Sequence, residues 1–321
     1  MAQRSGDPLA VVDEWALATP GKLVRPVLLL ESAAAVGGSW EQVLPAALGL
    51  ELAHVGSLLH DDIIDGDDLR RGRAAVHRQF GDELAILAGD GLLFASFEQI
   101  ARCGERGVAA EAVRRACGLM AAAGRDLAAG VALELAFTGA ARERRGESVL
   151  ADYVEMVRLK TAALLRCACE IGAVLGGGGV GEVRALAAYG QALGIAFQIR
   201  DDLLPYTSTV AREGKPDDSD RRNDRPSLPL ILVGVLGGAA ARTRLSALVE
   251  DDSVGGRERL TKLLEETGAL ERAQMVAREY ALTGHAALDE IPAGAHREVL
   301  RDLIGVVAGT LCASRPAGMA W

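Results

Sequence analysis

His54 to Phe80 reads HVGSLLHDDIIDGDDLRRGRAAVHRQF. Its centre holds Asp61, Asp62 and Asp65, followed by Asp67, Asp68 and Arg70-Arg71-Gly72. On a helix, residues four apart lie one above the other, so Asp61 and Asp65 project to one side with Asp62 beside them. Carboxylates that close repel strongly once desolvated, and a cation is needed to hold them together. A few hard oxygen ligands with water completing the shell suit Mg²⁺ better than zinc, and such an ion takes its remaining ligands from substrate phosphate. The arginine pair suits the same phosphate. A charge run otherwise marks a solvated face. These acids, however, follow a largely apolar run, Leu48 to Leu59, and clustered acids after a buried segment are expensive unless a metal or ligand compensates.

Upstream, the pattern predicts one long buried helix into Asp65, N-capped at Ser39 with Gln42 at N3, and a kink or restart at Pro45. His54 lies two turns before Asp61 on the same face; it is either a satisfied core histidine or part of the acid-bearing stripe. Gly49, Ala53, Gly56 and Ser57 are all small, which either lets helices pack closely or leaves a channel. Earlier still, residues 1–18 are polar-led and then helical, and Thr19-Pro20-Gly21 breaks that helix. Gly21-Lys22-Leu23-Val24-Arg25-Pro26 opens an apolar helix to about Val36. Lys22 and Arg25, three apart, reach one anion at its start or form a snorkelling surface pair.

Downstream, residues 66–80 read as a polar loop and 82–102 as a helix whose Phe94 and Phe97 are core candidates. A helix pair follows at 106–123 and 125–140, with Glu134 in the second, and a charged connector from Arg142 to Glu147. The helix predicted over 148–174 carries Lys160-Thr161 in an apolar setting and ends at the Gly176–Gly179 run. The next, 181–204, closes on Phe197-Gln198-Ile199-Arg200-Asp201-Asp202-Leu203-Leu204-Pro205, and proline should stop or kink it there. Gln198, Asp201 and Asp202 share a face, making a second acidic helix end. Tyr206 to Pro226 is a long charged loop of the kind that serves as a lid. Helices are expected over 227–236, 239–250, 256–283 and 293–313, with 314–321 a loose tail.

The composition agrees with an all-α protein. Of 321 residues half are hydrophobic and only 4% aromatic, an Ala/Leu-rich mixture that favours helix, and no run alternates as a strand does. No linker or solenoid repeat divides residues 1–321, which read as a single domain. A net charge of −9 argues against a nucleic-acid partner. No stretch has the length and purity of a transmembrane segment; Leu228 to Ala241 comes nearest. The five cysteines, at 103, 117, 167, 169 and 312, lack metal spacing and read as buried small hydrophobes in a reducing, cytoplasmic setting. Two acidic helix ends facing each other across a bundle, with Mg²⁺ between them, would grip a diphosphate and stabilise it as a leaving group. The apolar interior would take its hydrocarbon tail.

In its ordered motifs the chain resembles the head-to-tail trans-isoprenyl (polyprenyl) diphosphate synthases. They are Gly21-Lys22…Arg25-Pro26, His54, the DDxxD of Asp61–Asp65, Arg70-Arg71-Gly72, Gly89-Asp90, Lys160-Thr161, Phe197-Gln198…Asp201-Asp202, Gly214-Lys215, Asp220 and Leu228-Pro229. The resemblance implies a helical bundle around a central cavity, the isoprenoid synthase type I fold, as a homodimer. It implies a prenyltransferase that condenses isopentenyl diphosphate with allylic prenyl diphosphates. Asp61, Asp65 and Asp201 would hold Mg²⁺, with Asp62 supporting. Arg70, Lys160, Gln198, Lys215 and Arg225 would contact the allylic diphosphate; Lys22, Arg25, His54 and Arg71 would bind isopentenyl diphosphate; Thr161 would help stabilise the allylic cation.

The sequence departs from the family pattern in three places. Pro205 replaces the last Asp of the second motif, Val131 a usual glutamine (Glu134 keeping the acid), and Arg225 a usual lysine. In this family, bulk four and five residues before the first Asp floors the pocket. Ser57 and Gly56 stand there, with Ala53 and Gly49 further down, which predicts a product of geranylgeranyl length or longer. A class I terpene cyclase would share the ionisation chemistry but carries a different second acidic motif and needs no second diphosphate site. A non-catalytic subunit of a heteromeric synthase finds support only in Pro205. An HD-type phosphohydrolase needs a histidine upstream of His54, and there is none.

Overall fold

The computed structural model describes residues 7–19, 21–140, 147–207, 227–249, 251 and 253–307. Lys215, Asp217, Asp218, Asp220, Arg225, Cys312 and the 314–321 tail lie outside them. Helices α1 (Leu9–Leu17), α2 (Val24–Ala35) and α3 (Trp40–Asp65) come first. A short antiparallel hairpin, β1 (Leu69–Arg70) with β2 (Arg73–Ala74), and α4 (Val76–Phe80) follow. Then come α5 (Asp82–Glu105), α6 (Ala110–Ala140), α7 (Glu147–Lys160), α8 (Ala162–Leu175) and α9 (Val180–Thr207). The chain finishes with α10 (Leu228–Leu236), α11 (Gly238–Val249), α12 (Val254–Glu266), α13 (Ala269–Leu288) and α14 (Ala295–Val307). The fold is all-α, as the composition predicts.

α8 is the centre. Nearly every residue from Ala162 to Leu175 is buried, as expected of a helix that is apolar all round, and α2, α6 and α9 pack on it. The main core joins Leu28 and Leu29 of α2, Leu50 of α3, Ile100 of α5, Ile171 of α8 and Leu193 of α9. A second core gathers Tyr153, Ile199, Leu203 and Leu228 with the helices after α10. A third, around Val12, Leu59 and Leu92, fixes α1 and α4 against α3 and α5.

Several boundaries differ from the sequence reading. Residues 66–80 are a hairpin and a helix: Arg71 and Gly72 take φ of 52° and 76°, the two positive values a tight hairpin turn requires. The helix pair predicted over 106–140 is one helix, α6, because Gly124 alone does not break it. Residues 148–174 are two helices, parted at Thr161. α9 runs two residues past Pro205, held by buried Tyr206 and by the Thr207 hydroxyl on Leu203 O at 2.9 Å; a proline so near the end removes one bond only. α3 passes Pro45 without a restart. Ser39 gives its hydroxyl to Glu41, and no side chain caps α3. The stretch 256–283 breaks at Gly268, where φ is 72°. Phe94 is not a core residue; it is 76% exposed. Trp40–Asp65, Asp82–Glu105 and Ala110–Phe137 are each long and apolar enough to cross a membrane, which corrects the sequence reading; each packs against others in the bundle.

The small residues of α3 resolve toward packing. A Cβ on Gly49 would stand 2.7 Å from Ser96 O, and one on Gly56 2.8 Å from Gly89 O. These two positions let α3 and α5 approach closely, so they line no channel. Ser57 is only partly buried, and its hydroxyl donates to His54 O within its own helix at 2.8 Å.

Candidate active site

The site is built on the break between α7 and α8. Lys160, the last residue of α7, extends its ammonium to Glu134 of α6 and stands 3.6 Å from Asp61 Oδ1 of α3. Thr161 donates its hydroxyl to Gln198 Oε1 of α9 at 2.7 Å. Adjacent residues therefore reach the two acidic motifs, one each. Two glycines make this approach feasible. Gly130 sits one turn before Glu134, and a Cβ there would strike the Lys160 backbone nitrogen. Gly194 sits one turn before Gln198, and its Cβ would lie 2.5 Å from Ala162 Cα.

At the first motif the three carboxylates separate. Asp61 and Asp65 occupy one side of the last turns of α3, and Asp61 is 21% exposed at its side chain. Asp62 is turned inward, 2% exposed, and takes Arg70 Nε at 2.7 Å; Arg70 also reaches Asp67 at 3.1 Å. Burial raises the Asp62 pKa, only partly countered by Arg70. The hairpin is thereby locked to α3. Arg73 lies over the Trp15 ring at 3.9 Å, and Trp15 Nε1 donates to Ala74 O, fastening the same hairpin to α1.

One end of the site is cationic. Burial, with Arg25, Arg71 and Arg70 close by, holds the His54 pKa well below its usual value, so the imidazole is neutral at pH 7. Burial pulls the Arg25 guanidinium down to about 10, against the opposing effect of Glu51. Arg25 Nε is buried with no hydrogen-bond partner among the described residues. Arg71 donates to Thr19 O, and Lys22 is exposed just before α2. Three arginines near one neutral histidine and one glutamate give this end a net positive charge, which suits an anion.

At the second motif Asp202 is a hydrogen-bond hub. It accepts from Gln198 Nε2 at 2.9 Å, from the Tyr153 hydroxyl at 2.7 Å and from Leu228 N at 2.8 Å. Asp201, partly buried, lies near enough to Tyr153 to help burial and Asp202 keep that phenol protonated. The structure places Lys160 by Asp61 and Thr161 by Gln198, and it adds Tyr153 and Glu51, which the sequence reading did not single out. Neither carries a motif; their membership depends on helices far apart in the chain.

Among the described residues no three His, Cys, Asp or Glu side chains converge on one point suited to a metal. Asp61, Asp65 and Asp201 are hard oxygen donors on partly exposed helix ends, and such donors suit Mg²⁺.

The polyprenyl synthetase family profile matches residues 11–267. The chain is 35% identical over 298 residues to a short chain isoprenyl diphosphate synthase of Methanothermobacter thermautotrophicus, covering 92% of this chain and 88% of that one. It is 35% identical to a geranylfarnesyl diphosphate synthase of Aeropyrum pernix, covering 85% and 84%. The crystal structure of geranylgeranyl pyrophosphate synthetase from Pyrococcus horikoshii superposes with a TM-score of 0.85 at 30% identity, covering 94% and 89%.

Proposed function

The chain belongs to the polyprenyl synthetase family, and on that premise we propose how its residues divide the work. It is a trans-isoprenyl diphosphate synthase, a prenyltransferase that elongates an allylic diphosphate with isopentenyl diphosphate. Asp61, Asp65 and Asp201 would hold Mg²⁺, which would supply charge neutralisation for the departing pyrophosphate. Lys160, Gln198 and Arg70 contact the allylic diphosphate, with Asp62 keeping Arg70 in place. Lys215 and Arg225 join them by motif.

Arg25, His54 and Arg71, with Lys22 at the mouth, bind the isopentenyl diphosphate. A neutral His54 can donate one hydrogen bond without adding to the repulsion among the arginines. The allylic C–O bond breaks and its electron pair leaves with pyrophosphate. The isopentenyl double bond attacks the resulting cation, which Thr161 faces, and a proton is lost to the departing pyrophosphate. The observation that best supports this reading is the Lys160-Thr161 junction, where one residue touches the first acidic motif and the next touches the second.

The product is of geranylgeranyl length or longer, a reading that now rests on the small side chain at Ser57. Leu87 and Phe94 lie seven apart on α5, 53% and 76% exposed. These two exposed apolar side chains, with the exposed Asp90 between them on the same face, support a homodimer through α5. Buried free thiols at Cys103, Cys167 and Cys169 suit a cytoplasmic setting.

The test uses purified protein with Mg²⁺, labelled isopentenyl diphosphate and, separately, dimethylallyl, geranyl and farnesyl diphosphates. Dephosphorylated products are sized by chromatography. A ladder ending in one linear alcohol is expected. A cyclised hydrocarbon from a primer alone, or no incorporation at all, would overturn the proposal.

A further inference from the structure

We propose that Asp202 is a positioning residue that sets the polarity of the Thr161 hydroxyl through Gln198, so that Thr161 presents lone pairs, and not its proton, to the allylic cation. The inference rests on the function proposed above.

It follows from which groups can donate. A carboxylate only accepts hydrogen bonds; a primary amide has one donating and one accepting end. Asp202 Oδ1 lies 2.9 Å from the Gln198 amide, so the NH₂ end must face it. The amide oxygen is then turned toward Thr161, 2.7 Å away. Thr161 has one hydroxyl proton, and it is committed to that oxygen. What remains of the hydroxyl is its electron-rich side.

Reversing the amide would reverse the outcome. Thr161 would accept from NH₂, and its proton would be free to point at the developing positive charge. Asp202 is well held for this task. Its Oδ2 takes the hydroxyl of Tyr153, which is fully buried, and the backbone N–H of Leu228 at the start of α10. Tyr153 comes from α7, Gln198 and Asp202 from α9, so three helices fix the direction of one proton. Ordered chains of this kind reinforce each link. On this assignment the second Asp of the motif orients the site and ligates no metal.

The test is a double-mutant cycle on elongation, run beside the unaltered chain. Asp202→Asn keeps the shape but lets the 202 side chain donate, so the Gln198 amide is free to flip. It should lower kcat about tenfold with KM for both substrates and the Mg²⁺ dependence unchanged. Thr161→Val should lower kcat on its own. In the Thr161→Val background Asp202→Asn should cost nothing further, because the hydroxyl it orients is gone. Tyr153→Phe, which loosens Asp202 without entering the site, should lower kcat by less and be equally silent in that background, and it serves if Asp202→Asn fails to fold. Losses that multiply, or a shifted Mg²⁺ requirement in Asp202→Asn, would overturn the relay while leaving the function standing. No elongation by the unaltered chain would instead overturn the function, and the relay's role with it.

Discussion

Lys160 stands between two carboxylates, paired with Glu134 and 3.6 Å from Asp61 Oδ1. With its side chain 16% exposed, it is the cation that lets α3 and α6 bring acids to one place. Lys160→Met should leave two neighbouring acids without that charge and lower the elongation rate by about 10²-fold or more. Steady-state kinetics at saturating Mg²⁺ would check this. An unchanged rate would remove Lys160 from the site.

Glycine substitutions in α6 should separate sharply by position. A Cβ at Gly130 meets the Lys160 backbone, whereas one at Gly124 meets nothing within 4 Å. Gly130→Ala should destabilise the fold by about 1–3 kcal/mol, and Gly124→Ala should stabilise it by about 0.4–1 kcal/mol. Urea unfolding curves would read both. Gly194→Ala, facing Ala162 at 2.5 Å, should behave like Gly130→Ala.

His54 gives a pH dependence of definite sign. Its folded pKa is depressed by burial and by Arg25, Arg71 and Arg70, so the unfolded chain binds the extra proton first. Its contribution to stability is therefore full above the unfolded value of 6.5 and is lost progressively as pH falls below it toward the folded pKa. Inorganic pyrophosphate bound at the cationic end should raise the folded pKa. An NMR titration of the His54 ring, with and without pyrophosphate, should show a neutral ring at pH 6 and an upward shift on binding.

Neighbouring positions on α3 should respond differently to bulk. Ser57 is partly buried and bonded only within its helix, so Ser57→Phe should leave an active enzyme with a shorter product. Gly56 faces Gly89 O at 2.8 Å, so Gly56→Phe should part α3 from α5 and lower the melting temperature. An unchanged product distribution from active Ser57→Phe would sink the pocket-depth reading.

Association should depend on α5. Phe94→Asp places a charge on the exposed face that carries Leu87 and should convert the proposed dimer to monomer in light scattering. A mass unchanged from that of the unaltered protein would locate the interface elsewhere.

Much of this was legible in the chain. Apolar periodicity and composition specify an all-α fold, and spacing alone puts Asp61 above Asp65. The break at Thr161 was not legible, because no proline or glycine marks it; it coincides with the close contact of Gly194 on Ala162. The inward turn of Asp62 depends on a hairpin that read as a polar loop, since Arg71 carries the positive φ that glycine normally signals. Tyr153 and Asp202 are 49 residues apart, beyond any local pattern. Phe94 was misplaced for a different reason: aromatic character does not distinguish a core face from a face that another copy would cover.

α3 carries His54 at the cationic end and Asp61 at the acidic end, seven residues further along one unbroken helix. At 1.5 Å per residue that is about 10 Å. On the binding roles proposed above, the helix would set the spacing of the two diphosphates. A larger side chain at Ser57 leaves that spacing unchanged, but one inserted or deleted residue between 54 and 61 would swing the acids by about 100° relative to His54. On that reading the reaction's geometry would be stored in a length, and a helix changes length only in whole-residue steps that each turn the acids about its axis.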